Sequence, residues 1–89
     1  MLSKNIQIIN KLGLHARAAA KFVGLASSFK SDINVSRAGR SVNGKSIMGV
    51  MMLAAACGSE ITLEISGEDE AEAMAGMEQL INDRFGEEA

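Results

Sequence analysis

Glu60-Ile61-Thr62-Leu63-Glu64-Ile65-Ser66 alternates large aliphatic and polar residues without a break. A side-chain period of two puts Ile61, Leu63 and Ile65 on one face of a strand and the polar residues on the other. The segment is expected to be a central strand, in a sheet with one covered face and one wet face. A parallel sheet would bury both faces and would need repeating strand–helix units, which the chain does not contain. At 89 residues there is room for one domain, 1–89, which buries about two-thirds of its unfolded surface. A catalytic cleft between domains is thereby excluded.

The other elements follow from similar patterns. Ile6 and Ile8 alternate with polar neighbours and predict a first strand, ended by Asn10-Lys11-Leu12-Gly13. From Ala16 to about Phe29, residues Ala19, Phe22, Val23, Ala26 and Phe29 recur at three and four positions on one helical face. Ile33 and Val35 alternate with polar residues, and Ala38-Gly39 turns the chain into Arg40-Ser41-Val42, a hairpin in which glycine supplies permissive dihedrals. Ser46 is placed to cap a short helix that starts at Ile47. Ser66-Gly67-Glu68-Asp69 has capping character before a last helix, whose apolar stripe runs through Ala73, Met74, Met77, Leu80, Ile81 and Phe85 to Gly86. This order predicts an α+β fold, an open-faced β-sandwich with an antiparallel sheet covered on one face by helices.

Nine basic residues against eleven acidic ones give a formal charge of −2 with no basic block, so nothing favours nucleic acid or an anionic membrane. Proteins or small molecules are the expected partners. No apolar run approaches the roughly 20 residues that cross a bilayer. Cys57 has no second cysteine to pair with and the chain start lacks a signal-peptide pattern, so a cytoplasmic location is expected. Between Ala54-Ala55-Ala56 and Gly58, Cys57 reads as a small packing residue, with no histidine nearby to complete a metal site. Arg37 and Arg40 straddle the hairpin turn, where solvated arginines are usual. The acidic segment from Glu68 to Glu72 fits the electrostatics of a helix start.

Chemistry concentrates in Gly13-Leu14-His15-Ala16-Arg17, where the single histidine stands between an extended segment and an alanine-rich helix. Unpaired amides and the positive end of the macrodipole are suited to a phosphoryl group on His15. Arg17 is in reach of the same oxygens for a bidentate grip. A histidine beside a helix start is more often an exposed or capping residue, so the pattern alone leaves both readings open. One histidine and one arginine leave no second acid, base or metal for an autonomous enzyme.

Gly13-Leu14-His15-Ala16-Arg17 with Ala18-Ala19-Ala20-Lys21-Phe22-Val23 resembles the active-site signature of HPr, the histidine-containing phosphocarrier family of the bacterial phosphoenolpyruvate:sugar phosphotransferase system. Asn43-Gly44-Lys45-Ser46-Ile47-Met48-Gly49-Val50-Met51 resembles the family's second signature, around a regulatory serine. The resemblance spans essentially the whole chain and implies a four-stranded antiparallel sheet under three helices. It implies a cytoplasmic phosphoprotein, a monomer, in which His15 takes a phosphoryl group on Nδ1 from enzyme I and passes it to a IIA protein or domain, with Arg17 stabilising the group. It further implies that an HPr kinase/phosphorylase uses ATP and magnesium to phosphorylate Ser46, while the chain itself binds no cofactor. A phosphate there adds about −1.5 to −2 charges, which a helix N-terminus tolerates and an apolar docking face does not. The docking surface implied for both partners comprises Ala16, Ala20 and Lys21 with Ile47, Met48 and Met51. Leu53 and at least one methionine of the short helix are expected to fill the core instead.

Two positions depart from the commonest family pattern. Ala18 stands where many relatives have proline, and Leu12 where they have a small polar residue, which removes a polar partner for His15. Two rival readings stay open: a regulatory adaptor controlled through Ser46, and a small-molecule-sensing domain of the ACT type in which His15 is incidental.

Overall fold

In the computed structural model, which describes all of residues 1–89, the elements follow in the expected order. They are β1 (Leu2–Gln7), α1 (Ala16–Ser27), β2 (Asp32–Arg37), β3 (Arg40–Asn43), α2 (Ile47–Met52), β4 (Glu60–Ser66) and α3 (Glu70–Asn82), followed by a 3-10 turn at Arg84–Gly86. The four strands form one sheet in the order β1-β4-β2-β3, with every neighbouring pair antiparallel. β4 is interior, as its alternation demands: it pairs Ile61 with Ile6 on one side and Ile65 with Ile33 on the other. Ile61, Leu63, Ile65, Ile33 and Val35 are buried under the helices and join Phe22, Ala26, Met77 and Ile81 in one core. The opposite face carries polar pairs, such as the Thr62 hydroxyl donating to Asn5 Oδ1 at 2.8 Å. On the edge strand β1, Lys4 donates to Glu78 of α3 at 2.9 Å, and a charge on an edge discourages pairing with a further chain.

The hairpin turns where expected, with Ala38 (φ 52°) joining Gly39 (φ 82°) in left-handed backbone, the combination that matches strand twist in a two-residue loop. Its two arginines do more than face solvent. Arg37 donates to the Leu53 carbonyl at 3.0 Å and Arg40 to that of Met52 at 2.9 Å, so both satisfy orphan acceptors at the end of α2.

Four expectations are corrected. Helix α1 stops at Ser27, and half-buried Phe29 lies beyond it. Asp69 does not cap α3 with its side chain. Its carboxylate instead accepts from the backbone amides of Lys30 and Ser31 at 2.8 and 2.9 Å and from the Ser31 hydroxyl, tying α3 to the loop before β2. Glu70, in the first turn of α3, accepts from Gly67 N at 3.2 Å and so closes the turn before the helix. The apolar stripe of the last helix also fails to run straight to Gly86: α3 ends at Asn82, and Phe85 enters the core from the following turn. Finally, Cys57 is exposed, its thiol turned toward the Ile9 carbonyl, so it fills no core space.

The Ser31 hydroxyl, and then the Lys30 amide, hold the Asp69 carboxyl below the ordinary carboxylate range. A folded-state value below the unfolded one contributes stability at neutral pH, lost as pH falls from about 4 through the folded value. Denaturant unfolding across a pH series is therefore expected to show Asp69→Asn less stable than wild type above pH about 5, with the difference shrinking under acid.

Candidate functional site

The loop from Gln7 to α1 is fixed before the helix begins. Ile8 exchanges backbone bonds with the segment before β4, donating to Ser59 at 2.8 Å and accepting from Gly58 at 2.7 Å. Leu14 donates to the Ala55 carbonyl at 2.9 Å and buries its own side chain. Gly13 makes this approach feasible: its φ is +66°, and a Cβ there would stand on the Ala55 carbonyl oxygen. Fully buried Asn10 closes the loop from inside, donating Nδ2 to the Gly13 carbonyl at 2.8 Å.

The segment delivers His15 as the N-cap of α1, with extended backbone (φ −74°, ψ 177°) and a carbonyl that accepts the first helical bond from Ala19 at 2.8 Å. Its side chain caps nothing. The first-turn amides are thus left free of a side-chain acceptor, at the positive end of a 12-residue helix. The imidazole is half-buried, with 27% of its side chain exposed. Arg17 is exposed in the first turn of α1 and forms no ion pair within the chain. It lines an open depression of ≈ 570 Å³ with Lys11, Leu12, Lys21, Glu87 and Glu88.

Sequence reasoning missed Glu87. Its Oε2 meets Nε2 of His15, and its Oε1 accepts from Asn10 Nδ2 at 2.9 Å. The Asn10 amide, and then His15, hold the Glu87 carboxyl below the ordinary carboxylate range. A second ionisable group therefore stands beside His15 after all, and it fills the polar-partner role that Leu12 had left empty; Leu12 itself is exposed. The contact depends on a sharp reversal after α3, where Arg84 (φ 54°), Phe85 (φ 55°) and Gly86 (φ 78°) are consecutively left-handed. Such backbone costs roughly 1–2 kcal/mol at each non-glycine residue. Burial of the Phe85 ring and a 2.6 Å hydrogen bond from Lys21 Nζ to the Phe85 carbonyl hold the reversal in place. Nothing in the local pattern signals a contact across 72 residues of sequence.

Ser46 is where its sequence placed it, at the N-cap of α2, its Oγ accepting from Gly49 N at 3.1 Å. The preceding loop is anchored by Lys45 Nζ on the Phe29 carbonyl at 2.8 Å and by Gly44 N on the Ile33 carbonyl at 2.7 Å. Ile47, Met48 and Met51 are exposed to 42%, 67% and 38%. Met52 is exposed as well, so the expected core methionine of this helix does not exist; Val50 and Leu53 supply the buried contacts. Ala16, Ala20 and Lys21 are exposed on α1, which packs against α2.

These geometries accompany a clear relationship to known proteins. A family model described as the PTS HPr component phosphorylation site matches residues 2–83. The chain belongs to the HPr family. It is 61% identical over 87 residues to phosphocarrier protein HPr of Neisseria meningitidis serogroup A, covering 98% of each chain. With the HPr of Cupriavidus necator it shares 60% over 87 residues at the same coverage. The crystal structure of HPr-C-His from Thermoanaerobacter tengcongensis superposes with a TM-score of 0.96 at 47% identity, covering 100% of both chains. The four-stranded sheet under three helices is thus the HPr fold, as the signatures implied.

Gly13 is the residue on which the approach to His15 turns. Gly13→Ala is expected to cost about 2 kcal/mol or more in denaturant unfolding, from left-handed strain together with the clash at Ala55.

Proposed function

We propose that this HPr-family chain is a cytoplasmic phosphocarrier of the phosphotransferase system. His15 accepts a phosphoryl group from phospho-enzyme I and hands it to a histidine of a IIA protein or domain. The observation that carries the reading is the uncapped imidazole at the start of α1, with free first-turn amides behind it and uncommitted Arg17 in that same turn. Amides and guanidinium both stabilise phosphoryl oxygens. The depression that Arg17 lines is open and does not enclose His15, so a phosphoryl group on the ring would be stabilised moderately and stay accessible to the next acceptor. The chain is in this reading a substrate of its partners. It binds no cofactor, and ATP and magnesium enter only through a kinase.

The proposed partner face joins Ala16, Ala20 and Lys21 on α1 to Ile47, Met48 and Met51 on α2. Three exposed methionines on one six-residue helix give an apolar, adaptable surface, which suits a carrier that meets more than one partner. An HPr kinase/phosphorylase acting on Ser46 would add charge at the edge of that surface. The phosphate would sit at the α2 N-terminus, leaving the helix folded while docking weakens.

Intact-mass and acid-lability analysis after incubation with enzyme I, phosphoenolpyruvate and magnesium tests the reading. One acid-labile phosphoryl group is expected on wild type and none on His15→Ala; absence of labelling on wild type overturns it. Arg17→Ala is expected to slow transfer about tenfold or more, by loss of a charge-assisted hydrogen bond, with the unfolding midpoint unchanged. Ser46→Asp keeps an N-cap acceptor, so circular dichroism is expected to match wild type while titration calorimetry shows weaker binding to enzyme I.

A further inference from the structure

We propose that Glu87 is a positioning residue for phosphoryl transfer: anchored by Asn10, its carboxylate accepts a hydrogen bond from Nε2–H of His15 and leaves the Nδ1 lone pair as the nucleophile. The inference rests on His15 being the phosphoryl acceptor. An ionised carboxylate offers acceptors only, so the ring nitrogen it meets is the one that carries hydrogen. The neutral ring is then held as the Nε2–H tautomer, with the lone pair on Nδ1, which makes no hydrogen bond within the chain.

Glu87 is itself held at both ends. Oε1 takes Nδ2 of fully buried Asn10 at 2.9 Å, which aims Oε2 at the imidazole. The same Nδ2 donates to the Gly13 carbonyl at 2.8 Å, so one amide fixes both the loop that carries His15 and the acid that orients it. The left-handed run at Arg84, Phe85 and Gly86 turns the chain back toward this point, secured by Lys21 on the Phe85 carbonyl at 2.6 Å. Strained backbone persists where the surrounding structure over-determines it, and it clusters at functional sites.

In the forward step the Nδ1 lone pair forms the new N–P bond as the donor histidine's N–P bond breaks and its electron pair returns to the donor ring. Nε2 keeps its proton throughout. The positive charge that develops on the His15 ring faces the Glu87 carboxylate, on the edge away from the incoming phosphoryl group. The logic is that of a carboxylate holding the tautomer of a reactive histidine.

The test compares wild type, Glu87→Gln, Glu87→Ala and the charge control Glu72→Gln, an exposed residue in the first turn of α3. Two readouts are the initial rate of acid-labile phosphorylation by enzyme I with phosphoenolpyruvate and magnesium, and the ¹⁵N shifts of the His15 ring in alkaline buffer. Glu87→Ala is expected to react roughly tenfold more slowly and to move the ring shifts toward those of free histidine. Glu87→Gln retains an acceptor without charge, so it is expected to keep the shifts and lose rate, while Glu72→Gln matches wild type in both. Unchanged rates in both Glu87 variants overturn the positioning role alone. Faster phosphorylation of Glu87→Ala overturns it too, since the carboxylate would then be a shield, and so does a slower Glu87→Ala with unmoved shifts. No acid-labile label on wild type removes the carrier reading, and the positioning role falls with it.

Discussion

The burial of one face of β4 fixes most of what surrounds it. Ile61, Leu63 and Ile65 lie between β1 and β2 and beneath the helices, so the strand cannot slip by one residue without exchanging three aliphatics for Thr62 and Glu64. Residues 55–59, just before this strand, then become a fixed edge. Ile8 and Leu14 form backbone hydrogen bonds on that edge, and between them they set where α1 begins. The His15 end of α1 is thus placed by a sheet register through these backbone bonds.

What was legible in the sequence was what depends on near neighbours. The alternation of Glu60–Ser66, the hairpin at Ala38-Gly39 and the Ser46 cap each express a preference that a few adjacent residues satisfy among themselves. His15 and Arg17 were visible for the same reason, since both the helix start and its chemistry are local. The errors share the opposite property. Asp69 looked like a helix cap, but the amides of Lys30 and Ser31, 39 and 38 residues away, outcompeted its own helix. Phe85 continued the helical stripe in sequence, yet in space it reaches the core only after the backbone turns left-handed. The α2 methionines were too many for the volume beneath one short helix, and Val50 with Leu53 fills that volume without them. Glu87 carried no signal, because an acidic residue near a chain end is ordinary until folding brings it to His15.

The site combines opposed charges at different places on one ring. The uncapped start of α1 and exposed Arg17 supply positive charge near the ring, whereas Glu87 presents a carboxylate at Nε2. Although Arg17 and Glu87 line the same depression, they form no ion pair: the carboxylate is taken up by Asn10 and His15. Lys21, which stands in the same depression, is drawn instead to the Phe85 carbonyl. Lys21 therefore secures the tail, and Arg17 stays uncommitted.

An open site imposes a requirement that an enclosed one does not. In a deep pocket the walls orient a reactive ring, but an imidazole with 27% of its side chain exposed has few walls, and in the proposed carrier role each partner would supply its own. Orientation must then come from within the chain, from a contact that stays when partners change. The Glu87 carboxylate, accepting from buried Asn10 at one oxygen and from the ring at the other, meets that requirement without a partner's help. The left-handed turns at Arg84 and Phe85 are the structural cost of bringing the acid there, and the buried Phe85 ring offsets that cost within the same three residues.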